Sequence, residues 1–181
     1  MLLLRLSALI AAGVVGLAAA AHAEVCVDVA PGRFAPNTTI CVSSVLKAQG
    51  ANSYGPENLH GDTDKAWCEG APGDGQGEYV RFGWAEPVEF RDIVIGNGYQ
   101  KSRDTYFNNT RARTVRIESG DGLSFAAEIP DSGTHHTIRL PRAVKTNSLR
   151  ITIVDVHRGD KHADLCLFQI SPNFESLNKT R

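Results

Sequence analysis

Apolar and polar residues alternate with a period of two along this chain, and no stretch beyond the N-terminus sustains the 3.6-residue repeat of an amphipathic helix. Glu78–Phe82, Arg113–Glu118, Thr137–Leu140 and Leu149–Ile153 each place apolar and polar side chains on opposite faces, which predicts half-buried strands. Phe90–Ile95 and Leu123–Ile129 are weaker strand segments, and Cys166–Ile170 puts Cys166, Phe168 and Ile170 on one side. Between them lie the turn-rich segments Gly70–Gly77, Gly96–Asn109, Ser119–Gly122 and Arg158–Asp160. Many short strands divided by such turns predict an all-β fold, an antiparallel two-sheet sandwich. One short helical turn is expected at Ser43–Gln49. Trp67, beside Cys68, is expected in the core, and Trp84, inside the Gly83–Pro87 turn, is expected to be partly exposed.

The N-terminus departs from this pattern. Met1–Ala23 carries one basic residue, Arg5, then an apolar run from Leu6 to Ala21, and closes on Ala21-His22-Ala23. That small-x-small ending predicts an export signal cleaved before Glu24. A retained membrane anchor is the alternative, but the run is short of the roughly 20 residues that span a bilayer. No later apolar stretch approaches spanning length, so no membrane insertion is expected. The Ala-rich leader points to bacterial export, to the periplasm or beyond. The tail after Ser171 is polar and expected to fray. The sequons at Asn37 and Asn178 matter only in a glycosylating host.

Without Arg5 the 19 Lys and Arg become 18 against 20 Asp and Glu, a net charge of −2, which excludes a polybasic nucleic-acid binder. With 42% hydrophobic and 22% charged residues, the 158 residues after the leader are enough for one ordinary globular core. All four cysteines lie after the leader, at gaps of 15, 27 and 98 residues, which fit two disulfides and not the clustered spacing of a zinc site. Three pairings exist. Cys26 and Cys41 flank a Pro/Gly/Asn-containing loop and form the natural local pair, from which Cys68–Cys166 follows.

The segment from Asn97 to Arg111 is the most informative for function, because a connection this long inside a compact domain usually carries function or is disordered. Tyr99, Tyr106 and Phe107 offer flat apolar faces, while Lys101, Asn108, Asn109 and Arg111 supply directional donors and acceptors. A sugar has an apolar C–H face and a rim of hydroxyls, and this mixture suits it. In the competing reading the aromatics pin the loop to the sandwich, and Asn109 and Arg111 hold it by backbone hydrogen bonds.

A second polar cluster, Asp155 to Asp164, contains His157, Asp160, Lys161 and His162; no metal-site spacing accompanies it, so a charged turn is the preferred reading. His135 and His136 are adjacent in a strand and point to opposite faces. No nucleophile elbow, His-Glu-x-x-His helix or recognisable carboxylate pair is present, so no catalytic residue is assigned. Gly73–Gly77 lacks the Lys-Ser/Thr of a phosphate loop and precedes a strand.

In order along the chain, Cys41–Leu46, Tyr54–Leu59, Ala66–Gly70, Gly75–Glu78, Asn97–Ser102 and Tyr106–Arg111, closing with Ile151–Lys161 and Asp164–Ile170, form a pattern that resembles the NAD-glycohydrolase-type glycan-binding domain. That family is named after the translocation domain of a streptococcal NAD-degrading toxin. The resemblance spans about Cys41 to Phe174 and implies a galactose-binding-like, discoidin-like jelly-roll sandwich that binds carbohydrate without catalysis. It divides the chain into a signal peptide at 1–23, an N-terminal extension at 24–40, the glycan-binding domain at 41–174 and a flexible tail at 175–181.

Together with the loop chemistry, it points to Tyr99 and Tyr106 as stacking platforms and to Lys101, Asn109 and Arg111 as polar contacts, with His157, Lys161 and Asp164 as neighbours. Two departures bear on metal. Asn58–Trp67 is one residue short of the family pattern and lacks its Asp-Gly pair, and Phe168-Gln169-Ile170 stands where Ser-Glu-Ile is expected. In discoidin-like folds these regions can hold a structural Ca²⁺; the neutral Gln169 weakens that case, so no cofactor is expected. The alternatives are an enzyme acting on NAD or a glycan, and a surface or periplasmic domain that docks a protein partner through the same loops.

Overall fold

The computed structural model describes residues 23–60 and 64–177; the leader, residues 61–63 and the Asn178 sequon lie outside the described residues. The strands are β1 (Val25–Val29), β2 (Thr38–Val42), β3 (Trp67–Cys68), β4 (Tyr79–Asn97), β5 (Arg111–Ser119), β6 (Ser124–Glu128), β7 (His135–His157) and β8 (Cys166–Asn173). One helix, α1, covers Arg103–Asn108. Every strand pair is antiparallel.

Each strand expected from alternation is present, but four of the expected segments are halves of two long strands. β4 contains both Glu78–Phe82 (from Tyr79 onward) and Phe90–Ile95, and β7 contains both Thr137–Leu140 and Leu149–Ile153. The N-terminal half of β4 pairs with β2 and with Leu149–Thr152 of β7, while its C-terminal half pairs with the start of β7 and with β8. Register shifts between Gly83 and Val88 and between Phe90 and Asp92 let β4 turn from one layer to the other. The result is an antiparallel sandwich in which the layers are continuous through bent strands. The layers enclose one cluster that includes Val80, Phe82, Phe90, Ile93, Ile95, Val115, Ile117, Leu149, Ile151 and Ile153.

Three local expectations are corrected. Ser43–Gln49 forms no helical turn, because its backbone is committed to distant partners: Ser43 N–H donates to Tyr79 O at 3.1 Å, Leu46 N–H to Cys68 O at 2.9 Å, and Trp67 Nε1 to Ser44 O at 2.9 Å. Trp84 is buried within β4, stacked on Phe82 with centroids 6.1 Å apart, and its Nε1 donates to Thr38 Oγ1 at 3.0 Å. The chain after Ser171 is not loose as far as Leu177: β8 runs to Asn173, and the buried Ser176 Oγ accepts from Arg91 N–H at 3.0 Å.

Both expected disulfides are formed, Cys26–Cys41 and Cys68–Cys166, each between directly opposed residues of neighbouring strands. Trp67 is fully buried beside the second one, as expected. The expected start of the domain at residue 41 falls inside β2, whose hairpin with β1 adds to the edge of the main sheet.

Candidate functional site

The chain between β4 and β5 is built to a fixed shape. Asn97, fully enclosed, donates from Nδ2 to Ala112 O at 2.8 Å and accepts at Oδ1 from Ala112 N–H at 2.9 Å, which pins the two ends of the segment together. Gly98 has φ +74°, and a Cβ there would meet the Tyr106 ring at 2.8 Å, so only glycine fits without displacement. Ser102 caps α1: its Oγ accepts from Thr105 N–H at 3.1 Å, and Thr105 Oγ1 accepts from Ser102 N–H at 2.8 Å. With six residues and one buried side chain, Tyr106, the helix is too short to show a period in the sequence, which explains why it reads as loop.

Tyr106 and Arg111 turn inward. Tyr106 is 5% exposed and donates from its hydroxyl to Asp131 Oδ1 at 2.9 Å. Arg111, also 5% exposed, pairs through Nε and Nη2 with both oxygens of Asp131, at 2.8 and 3.0 Å. Its Nη1 donates to the carbonyls of Asn109 and Tyr106 at 2.8 and 3.2 Å, covering the exposed end of α1. The guanidinium holds the Asp131 carboxyl below the usual range, and burial, then Asp131, pushes the Tyr106 phenol up. Tyr106 and Arg111 are thus held mainly within the fold, with the edge of Tyr106 bordering a shallow depression beside Asp131. Phe107 is the exposed ring of this segment, and it borders the same depression with Arg103, whose guanidinium lies 5.6 Å from the ring centroid.

A cleft of about 270 Å³ lies on the other side of α1. Lys101, Thr105 and Asn109, spaced by four residues, form one wall. His162 and Asp164 form the facing wall, and Gln49, Asn52 and Tyr54 close the end. The floor is apolar: Tyr54 and Tyr99 meet edge to face with centroids 6.2 Å apart and pack on the Cys68–Cys166 disulfide. Lys101 Nζ donates weakly to Asn52 Oδ1 at 3.4 Å, and Asn109 Nδ2 donates to Thr105 O at 2.8 Å, which leaves its Oδ1 available as an acceptor. The facing wall is tied to α1 through backbone: Asp160 N–H to Phe107 O at 2.9 Å, His162 N–H to Asn108 O at 2.8 Å, and Thr110 N–H to Asp164 O at 3.1 Å.

Next to Cys68 in the chain is a fully buried carboxyl, Glu69. Its Oε2 accepts from Ala71 N–H at 2.7 Å and its Oε1 from Leu165 N–H at 3.3 Å, joining the chain after Cys68 to the chain before Cys166. Burial raises its pKa to about 7.

Of the eight residues singled out from sequence, Tyr99, Lys101, Asn109 and Asp164 line this cleft. Tyr106 and Arg111 lie outside it, both bonded to Asp131, and Tyr106 borders the depression beside Phe107. His157, opposite Arg111 in the β5–β7 ladder, places Nε2 3.4 Å from Ile129 O, and Lys161 lines an adjoining recess. Sequence reasoning missed Asn52, Tyr54, Thr105 and His162 as cleft residues. Asn52 and Tyr54 come from a loop some fifty residues upstream, where only the Tyr54–Leu59 motif hinted at a role.

All four cysteines are in disulfides, so none is free as a nucleophile or ligand. Among the described residues the one grouping of three acidic, cysteine or histidine ligands is Glu24, Cys26 and Cys41, whose sulfurs are already bonded to each other.

A profile of the family described as NAD glycohydrolase translocation F5/8 type C domain matches residues 35–173. No curated protein matches the chain by sequence. Among solved structures, the fold is similar to the family 32 carbohydrate-binding module of Clostridium perfringens NanJ in complex with galactose, with TM-score 0.55, 12% identity, and coverage of 75% of this chain and 92% of that one. It is similar also to the CBM32-5 module of Clostridium perfringens in complex with GalNAc-β-1,3-galactose, with TM-score 0.57, 8% identity, and coverage of 75% and 94%. The family 32 carbohydrate-binding module of Streptococcus pneumoniae EndoD gives TM-score 0.53 at 12% identity, covering 81% and 99%. These likenesses establish the galactose-binding-like sandwich fold.

Proposed function

The chain belongs to the NAD glycohydrolase translocation F5/8 type C domain family, and on that footing we propose that it is an exported, non-catalytic glycan-binding module. The observation that carries the reading is the cleft itself, an apolar floor of Tyr54, Tyr99 and a disulfide ringed by groups that bond hydroxyls. Lys101 donates to sugar oxygens, Asp164 accepts from adjacent hydroxyls, and Asn109 accepts through its free Oδ1, with Asn52, Thr105 and His162 completing the ring. The sugar complexes of the structurally similar modules support the same ligand class. Two disulfides support an oxidising destination, secreted or periplasmic, to which the N-terminal leader would direct the chain. The reading requires no cofactor, nucleic acid or membrane.

The test is binding of the purified protein to a glycan array, followed by calorimetry with galactose and GalNAc-β-1,3-galactose. Saturable binding that Lys101→Ala or Asp164→Ala weakens by about 1–2 kcal/mol is expected. Capture of no glycan, with specific retention of a protein partner by the same loops, overturns the reading. Nicotinamide release from NAD by the purified protein overturns its non-catalytic part.

A further inference from the structure

Beyond His162 the surface opens into a second recess of about 600 Å³, more than twice the volume of the cleft, lined by Asp74, Thr110, Arg158, Lys161 and His162 among others. His162 borders both recesses. We propose that the two form one continuous binding groove and that the ligand is a neutral oligosaccharide of two or more residues, held across His162, not a single sugar. This rests on the glycan-binding reading of the cleft and adds to it the length and charge of the ligand.

The ridge between the recesses is rigid. The backbone of Asp160 and His162 donates to the carbonyls of Phe107 and Asn108, and Gly159 N–H donates to Thr110 Oγ1 at 3.2 Å. Gly159 lies so close to the backbone of Asn108 and Asn109 that a Cβ there would overlap both. A groove with walls fixed in advance loses little entropy on binding, so each further sugar it contacts adds to affinity.

The charges of the lining balance. Lys101, Lys161 and Arg158 are matched by Asp164, Asp160 and Asp74, and Arg158 already pairs with Asp74 at 3.2 Å. An acidic sugar would bring its carboxylate against Asp160 or Asp164 with no surplus cation to compensate, whereas a neutral chain of hydroxyls uses donors and acceptors of both signs.

The probe is a glycan array that presents each terminal sugar three ways: as a monosaccharide, at the end of a neutral tetrasaccharide, and at the end of its sialylated counterpart. The expected result is a neutral tetrasaccharide bound about tenfold more tightly than its terminal monosaccharide. In Lys161→Ala and in Arg158→Ala, both exposed positions, that advantage shrinks to about twofold. Equal affinity for the two lengths, or an advantage untouched by both substitutions, overturns the groove and leaves the glycan-binding reading standing. Preference for the sialylated form overturns the neutral assignment. Binding of no member of the array overturns both readings.

Discussion

Arg111 shows how one side chain decides whether a polar residue belongs to a ligand or to the protein. Its guanidinium bonds both oxygens of Asp131 and the carbonyls at the end of α1, and removing it leaves those carbonyls without a donor and the partly buried carboxylate with the Tyr106 hydroxyl but no paired cation. Arg111→Ala is expected to cost about 2–3 kcal/mol in urea unfolding. Lys101→Ala, at an exposed position with one weak contact, should cost less than about 0.5 kcal/mol. Glu69 gives a pH dependence of definite sign. Its folded pKa of about 7 stands above its ordinary 4.5, so between those values the folded state binds more protons than the unfolded one. This contribution to stability is full below pH 4.5 and is lost as the pH rises through 7. Between pH 5 and 8 the wild type should lose stability on the order of 2–3 kcal/mol from this group. Glu69→Gln, which mimics the protonated carboxyl, should flatten that part of the profile in unfolding measured at both pH values.

Helix α1 is short, yet it sets the cleft wall that carries Thr105 and Asn109. Its N-terminus depends on the reciprocal bonds of Ser102 and Thr105. Ser102→Ala is expected to lower stability by about 1 kcal/mol and to weaken glycan binding as the wall loosens, both measurable in one set of thermal and calorimetric titrations. The facing wall has a stricter requirement. Gly159→Ala would force Cβ into the backbone of Asn108 and Asn109, atoms that cannot rotate away, so a loss of about 2–3 kcal/mol and of binding together is expected.

The two disulfides differ in what they join. Cys26–Cys41 closes a separation of 15 residues within one hairpin, whereas Cys68–Cys166 closes 98 and underlies the cleft. Loop-closure entropy assigns about 3 kcal/mol to the first and about 4–5 to the second. Replacing each pair by alanine should therefore lower the melting temperature more for Cys68/Cys166, and only that variant should also lose glycan affinity. An equal fall in both, with binding intact, would remove the disulfide from the site.

Much of this architecture is readable in the order of residues alone. Alternation in Arg113–Glu118 places Val115 and Ile117 on one face because a strand puts successive side chains on opposite sides, and both are fully buried. The parity and spacing of the cysteines yielded both disulfides, and the aromatic and amide content of 97–111 pointed to a segment of which Tyr99, Lys101 and Asn109 line the cleft. Local sequence carries no information about what a segment meets from far away. Gly83–Pro87 has the composition of a turn, but Thr38 and Phe82 hold Trp84 inside a continuous, bulged strand. Tyr106 and Tyr99 look alike as exposed loop aromatics until Asp131 draws the first inward and the Cys68–Cys166 disulfide seats the second in the cleft floor. Asn52, Asn109 and Asp164 come from three separate loops, and the pairing of β2 with β4, β3 with β8 and β5 with β7 brings those loops to one end. The strands follow from periodicity, a property of neighbours; the cleft follows from strand pairing across the chain, which tertiary packing alone decides.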